Sequence, residues 1–312
     1  MILTVTLNTS IDKLYLMESI RPETVMRVKE VHNSAGGKGL NVSRTAAGLG
    51  EAVTAMGFTG GFNGQYLESL ISGQRVRCAF THVAGETRSC INCWDLSDNR
   101  STEYLEPGVP VTAEDVQHFR EDFLRELPGA DAVTLSGSMP GGMPEDFYSE
   151  LITLCREAGV PVLLDTSGSR LAAAVKAGPD LIKPNEDEIV QLTGRRFSDR
   201  EEAVSILREL RDNGIPMVVL SLGSEGALLA CGEGVFRGKP PKIIPRNTVG
   251  CGDSMLAGFA VGFARRLPAA EAFRMALAVS AASALNLMTG DFDPADYERL
   301  YPEVIVEQLA DR

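Results

Sequence analysis

Short apolar runs alternate with longer amphipathic stretches through most of this chain, and few folds accept that order. The run Ala132 to Ser136 reads as a strand ending in a small-residue turn. A helical pattern follows from about Pro144 to Ala158, with Phe147, Leu151, Leu154 and Cys155 on one face. Gly159 and Pro161 stop it, as expected beyond a helix C-terminus. Val160 to Leu164, closed by Asp165, is the next strand. Ser169 to Ala177 predicts a helix, Leu181-Ile182 a strand, Glu186 to Leu192 and Asp199 to Asn213 two helices, and Pro216 to Ser221 a strand. This order implies an α/β fold: a mostly parallel sheet with helices on both faces. Residues of about 10–35 and 86–106 are richer in β-branched and polar types and carry no helical period. They predict a small separate β-sheet, a lid over the main sheet's edge. With no linker or repeat between them, residues 1–312 read as a single domain with an inserted lid.

Several functions are excluded at this level. Acidic residues number 42 and basic residues 30, a net charge of −12, and no basic face is visible, so no nucleic-acid partner is expected. No apolar run approaches the ~20 residues that span a bilayer, so no membrane partner is expected either. Met1 to Leu7 has no basic lead and no cleavage site, and reads as a strand rather than a secretory signal. Six scattered cysteines in a chain able to build a core suit a reduced, cytoplasmic setting. Cys90-Ile91-Asn92-Cys93 has the spacing of a redox or zinc pair, but no second pair exists and the flanks look like a strand, so these read as buried thiols. The three histidines sit in unrelated contexts, and HExxH, GxSxG and GxGxxG are all missing.

Chemistry gathers in glycine-rich turns. Asn247-Thr248-Val249-Gly250-Cys251-Gly252-Asp253-Ser254 delivers the chain into an apolar helix. Gly250, Cys251 and Gly252 could turn their N–H groups toward negative charge on a transferring phosphoryl group, beside the positive end of that helix. Asp253 could take a proton there; in the plainer reading Asp253 or Ser254 caps the helix. In Ala35-Gly36-Gly37-Lys38-Gly39-Leu40-Asn41, the glycines allow close backbone approach. Lys38 offers charge for a phosphate and Asn41 offers hydrogen bonds to hydroxyls; a solvated loop is the alternative. Lys183-Pro184-Asn185-Glu186-Asp187-Glu188 puts Asn185 and Glu188 three apart at a helix start. Glu188 could hold Mg²⁺ through water, or the two could form a capping pair. Asp12 could bind two hydroxyls, and Arg88 could fork onto a phosphate or make a surface salt bridge. Ser221 to Ala227, which includes Gly223 and Gly226, suits nucleotide phosphates or a simple hairpin.

In this order, these segments resemble the PfkB (ribokinase-like) family of carbohydrate kinases over nearly the whole chain. Gly36-Gly37-Lys38-Gly39-x-Asn41 is similar to one family signature, and Thr248-Val249-Gly250-Cys251-Gly252-Asp253-Ser254 to the other. Ile2 to Asn8, Glu86-Thr87-Arg88, Ser101-Thr102-Glu103 and Ser136-Gly137-Ser138-Met139-Pro140 resemble its sugar-phosphate branch. Arg88-Ser89-Cys90-Ile91 and Leu287-Met288-Thr289-Gly290 are similar to the tagatose-6-phosphate kinases. Asn247-Thr248-Val249-Gly250 and Gly57 to Phe62 lean towards the 1-phosphofructokinases. The resemblance implies a ribokinase-like fold and ATP-dependent phosphorylation of a ketohexose monophosphate, tagatose 6-phosphate first and fructose 1-phosphate second; a silent sugar-phosphate sensor is the reading from another class.

The resemblance also assigns roles. Asp253 is the base, and Gly250, Cys251 and Gly252 form the anion hole. Asp12, Gly37, Lys38, Asn41, Arg88 and Ser138 bind the sugar phosphate. Lys183, Asn185, Ser221, Gly223, Gly226 and Asn286 bind ATP, with Mg²⁺ supported by Glu188. A homodimer joined through the lids is implied. Two departures stand out. Thr9 replaces a usual Pro, which predicts a looser turn before Asp12. Cys251 replaces a usual Ala or Ser, which predicts retained activity with sensitivity to oxidation.

Overall fold

The computed structural model describes residues 1–73 and 75–309. The chain runs β1 (Ile2–Asn8), β2 (Ser10–Met17), β3 (Glu30–Gly36), α1 (Lys38–Gly48), β4 (Val53–Gly60), α2 (Gly61–Ser72), β5 (Val76–Cys78) and β6 (Thr81–Val83). It continues through β7 (Arg88–Asp95), β8 (Arg100–Leu105), α3 (Ala113–Glu126), β9 (Ala132–Ser136), α4 (Phe147–Glu157), β10 (Val162–Asp165), α5 (Gly168–Val175) and β11 (Leu181–Ile182). The last third holds α6 (Glu186–Thr193), α7 (Arg200–Asp212), β12 (Met217–Ser221), β13 (Ala227–Cys231), β14 (Gly234–Lys239), α8 (Cys251–Ala264), α9 (Ala269–Ala284), α10 (Pro294–Leu300) and β15 (Ile305–Leu309).

The main sheet has the order β15-β14-β13-β12-β11-β10-β9-β1-β4-β5, with β6 also paired to β4. From β12 through β9 and β1 to β5 every pairing is parallel. The expected α/β architecture is therefore present. The antiparallel run of β12 to β15 was not anticipated. Its first two links, residues 222–226 and 232–233, are too short to carry a crossover, so the chain must turn straight back. Pro161 lacks an N–H and delays β10 to Val162.

Alternation along β1 feeds two cores. Leu3, Val5 and Leu7 face a layer built on α3 to α7, where Phe119, Phe123, Phe147 and Tyr148 are fully buried. Thr4 and Thr6 face the other way, under α1, and the Thr4 and Ser43 hydroxyls meet at 2.7 Å. That second layer holds α1, α2, α8 and α9. Small residues bring α8 hard against α9: a Cβ on Gly258 would come within 2.4 Å of Ala276 Cα. The Phe259 and Phe273 rings stack beside this contact at 5.9 Å. Burying each ring stabilises the contact by roughly 1.5–3 kcal/mol.

Strands β3-β2-β7-β8 form the separate sheet. Ile11 and Ala35 root it in the second core. It leaves the chain at the carboxyl end of β1, where the order reverses between β9 and β4. Crevices that hold ligands form at such a reversal.

Candidate active site

A cleft of about 1070 Å³ lies between the small sheet and the carboxyl ends of the main strands. At its floor Gly250 sits in the left-handed region with φ 82°, turning the chain into α8. No side chain caps this helix, so the plain capping role for Asp253 or Ser254 does not hold; Ser254 Oγ instead meets Thr45 Oγ1 at 3.1 Å. The Cys251 amide makes a long bond to the Thr248 carbonyl at 3.4 Å, while the next amides of the first turn have no carbonyl one turn earlier to bond and are open to an anion. Cys251 lines the cleft beside them. Burial, with help from Asp253, pushes its thiol up to about 12, so it stays protonated and unreactive. The expected sensitivity to oxidation is thus opposed by the residue's surroundings.

Asp253 is 5% exposed and accepts a hydrogen bond from Asn41 Nδ2 at 2.7 Å. Burial raises its carboxyl to about 6; Lys38 opposes the rise, and Asp165 adds to it. Lys38 donates to Asp165 Oδ1 at 2.9 Å, and Lys183 lies 3.1 Å from Asp165 Oδ2. Burial disfavours the Lys38 ammonium, but Asp165 and Asp253 outweigh it and hold the lysine charged above its ordinary range. Burial likewise acts against the Asp165 carboxylate, yet Lys183 and Lys38 hold it below the usual carboxylate range. Lys183 also reaches the anion hole, because a Cβ on Gly252 would sit 3.1 Å from its Nζ. Sequence reasoning missed Asp165. It appeared only as the residue closing a strand, and its partner Lys38 is 127 positions away.

At the other end, Gly37 begins α1 with φ 102°, and a Cβ there would strike Thr6 Cγ2 at 2.6 Å. Asp12 lies on β2, its Oδ1 accepting from Ser10 Oγ at 2.6 Å; burial raises its carboxyl, with Ser10 and Arg44 opposing. A Cβ on Gly36 would overlap this carboxylate, so glycine is required where it rests. Thr9 does not loosen the turn: its hydroxyl donates to the Phe58 carbonyl at 2.5 Å and ties the turn to β4. Arg88 is no surface salt bridge. Its guanidinium donates to the carbonyls of Thr9, Glu106 and Asn8 and keeps two N–H groups for the cleft. Ser138 does not line the cleft; it accepts from Asn8 Nδ2 at 3.2 Å.

The third region is the Asn185–Glu188 turn and the β12–β13 hairpin. Asn185 Oδ1 accepts from the Glu188 amide at 2.8 Å and Glu188 Oε2 from the Asn185 amide at 3.0 Å. The capping pair is real, and both residues still line the cleft. Ser221, Gly223 and Gly226 line it too, and they are also a hairpin, closed by the Leu222 amide on the Gly226 carbonyl. Asn286 stands outside the lining and accepts from the Met288 amide at 3.1 Å. Among the described residues no three carboxylate, histidine or cysteine side chains converge as a metal cage. Glu188 keeps one carboxylate oxygen free of its cap. That donor set suits a hard cation carried in on phosphates rather than one held by protein alone. Cys90 and Cys93, three apart on β7, point to opposite faces and share no ligand position.

The pfkB family carbohydrate kinase description matches residues 4–295. Escherichia coli phosphofructokinase-2, solved with potassium, is 29% identical over 97% of this chain and 98% of its own, with a TM-score of 0.91. The same enzyme solved with fructose-6-phosphate gives 28% identity over 97% and 98% of the two chains, and a TM-score of 0.90. A Thermotoga maritima protein described as a possible 1-phosphofructokinase is 27% identical over 99% of both chains, with a TM-score of 0.85.

Proposed function

Because the chain belongs to the pfkB family of carbohydrate kinases, we propose that it transfers the γ-phosphoryl group of ATP to a ketohexose monophosphate, yielding the bisphosphate. The observation that carries this is Asp253: a carboxyl buried at a helix N-terminus, held by Asn41, with its proton affinity raised to about 6. Such a group is ionised at neutral pH yet basic enough to accept a proton. A sensor has no need of it, and holding a carboxylate there works against folding.

The sugar phosphate binds under the small sheet, which acts as a lid. Asp12 takes its hydroxyls, with Gly37, Lys38 and Asn41 beneath and the remaining Arg88 N–H groups on its phosphate. Ser138 acts at one remove, through Asn8. ATP lies along Lys183, Asn185 and the Ser221–Gly226 hairpin, and Asn286 shapes the turn beside it. The acceptor hydroxyl gives its proton to Asp253 as its oxygen attacks the γ-phosphorus; the bond to the β-phosphate oxygen breaks and ADP leaves. Gly250 and Gly252 meet the charge with backbone N–H groups, and Cys251 joins them by giving up its long bond to the Thr248 carbonyl. Lys183 adds its ammonium, which Asp165 keeps in place. Catalysis is then positioning and electrostatics. Mg²⁺ arriving on ATP, with Glu188 as outer support, would neutralise phosphate charge.

Tagatose 6-phosphate is our first substrate, on the likeness of residues 88–91 and 287–290. Fructose 1-phosphate is the second reading, supported by the likeness to a possible 1-phosphofructokinase, and the likeness to phosphofructokinase-2 with fructose-6-phosphate adds fructose 6-phosphate to the comparison. The test is coupled ADP release over tagatose 6-phosphate, fructose 1-phosphate and fructose 6-phosphate. The preferred substrate should exceed the others in kcat/KM by at least tenfold; turnover of none would reject the kinase reading.

A further inference from the structure

We propose that Arg44 is a positioning residue for phosphoryl transfer: it locks the Asn41 amide so that only its N–H side can face Asp253. The inference rests on the reading of Asp253 as the base. Arg44 lies on α1 one turn beyond Asn41, is buried, and lines no part of the cleft. Its Nη2 donates to Asn41 Oδ1 at 2.5 Å and to the Thr289 carbonyl at 2.7 Å, while Nη1 donates to the Ala35 carbonyl. A guanidinium has no acceptor, so the Asn41 atom against it must be oxygen. The nitrogen is then turned to Asp253 Oδ2, 2.7 Å away.

An unsecured asparagine can rotate half a turn and bring its oxygen against the carboxylate. That contact would repel the ionised base and hold its proton in place. The other two carbonyls pin the lock. Ala35 lies at the end of the lid strand β3, next to its final residue Gly36, and Thr289 lies in the turn beyond α9. The other charged groups facing Asp253 are Lys38 from α1, Asp165 from β10 and Lys183 after β11. Those facing Arg44 are Asp12 from β2, Asp291 and Asp253. Neither lysine makes a hydrogen bond to Asn41, so the amide's sense falls to Arg44.

The test is steady-state kinetics across pH for Arg44→Gln, Asn41→Ala and the double variant. Arg44→Gln should lower kcat about 10–100-fold, as a displaced catalytic group does. Its acid limb should move up by about one pH unit, with KM for ATP within about threefold of the unsubstituted protein. In the Asn41→Ala background the same change should add almost nothing. An unmoved acid limb, or an undiminished loss on top of Asn41→Ala, would overturn the proposal, since a purely structural arginine behaves so. Neutron diffraction from deuterated, unsubstituted protein tests the geometry if Arg44→Gln does not fold. The Asn41 deuterons should face Asp253, and the reverse orientation sinks the idea. Absence of turnover in the unsubstituted protein would instead reject the base reading and leave the neutron result to decide Arg44.

Discussion

Single residues set the chemistry, and Asp253 shows the tension most clearly. A rise from 3.8 to about 6 means the native state prefers the neutral acid. Ionisation above that value costs the fold on the order of 3 kcal/mol, and the cost fades as pH falls through 6 towards 4. Asp253→Asn should therefore lose turnover by ~10²–10⁴. It should also melt several degrees higher at pH 8, with the gain vanishing near pH 4. Calorimetry at the two pH values checks the sign, and equal melting shifts at both would contradict the buried-charge account. Cys251 offers a quieter test. Its thiol, pushed up to about 12, should resist iodoacetamide at pH 7.5 while turnover persists; stoichiometric labelling of Cys251 by mass spectrometry would refute that. Lys38, Asn41 and Asp253 were legible because each stands in a glycine-rich segment where a helix starts. Asp165 and Arg44 were not. One closes a plain apolar strand and the other sits inside a helix, and their partners gather only when distant segments meet.

At the scale of elements, the helical period and its stop signals placed α4 to α7 to within a few residues. The antiparallel edge was illegible because the apolar runs at 227–231 and 234–239 look like any other strands; only the brevity of their connections sets their direction. The Asn185 turn shows how one element serves two ends. Its side chain caps α6 and, in the same act, orders Glu188 at the cleft. Asn185→Ala should cost about 1 kcal/mol, a drop of roughly 2 °C in Tm. It should also raise KM for ATP several-fold without moving KM for the sugar phosphate. Equal changes in both KM values would mean that the cap supports the whole cleft rather than its nucleotide end.

At the scale of the whole molecule, the small sheet leaves apolar side chains exposed on its far side. Pairing puts Tyr15, Val31, Cys93, Ile91 and Tyr104 on one face, with Lys13, Asn33 and Thr102 among them, opposite the face carrying Asp12, Cys90 and Asn92. Val31 is 52% exposed and Tyr104 61%. Apolar side chains gathered on a thin sheet's open face, beside the unpaired edge of β8, invite a partner. The lid-to-lid homodimer that the family resemblance implies would cover it. Tyr104→Glu places a charge on that face at its β8 edge without touching the cleft, which Tyr104 does not line. Sedimentation velocity should show the unsubstituted protein as a dimer and the variant as a monomer. Because the lid roofs the sugar site, KM for the sugar phosphate should rise at least tenfold while KM for ATP changes little. A variant that still sediments as a dimer would place the contact elsewhere. A monomer with unaltered KM values would show that the lid holds its position over the cleft without a partner.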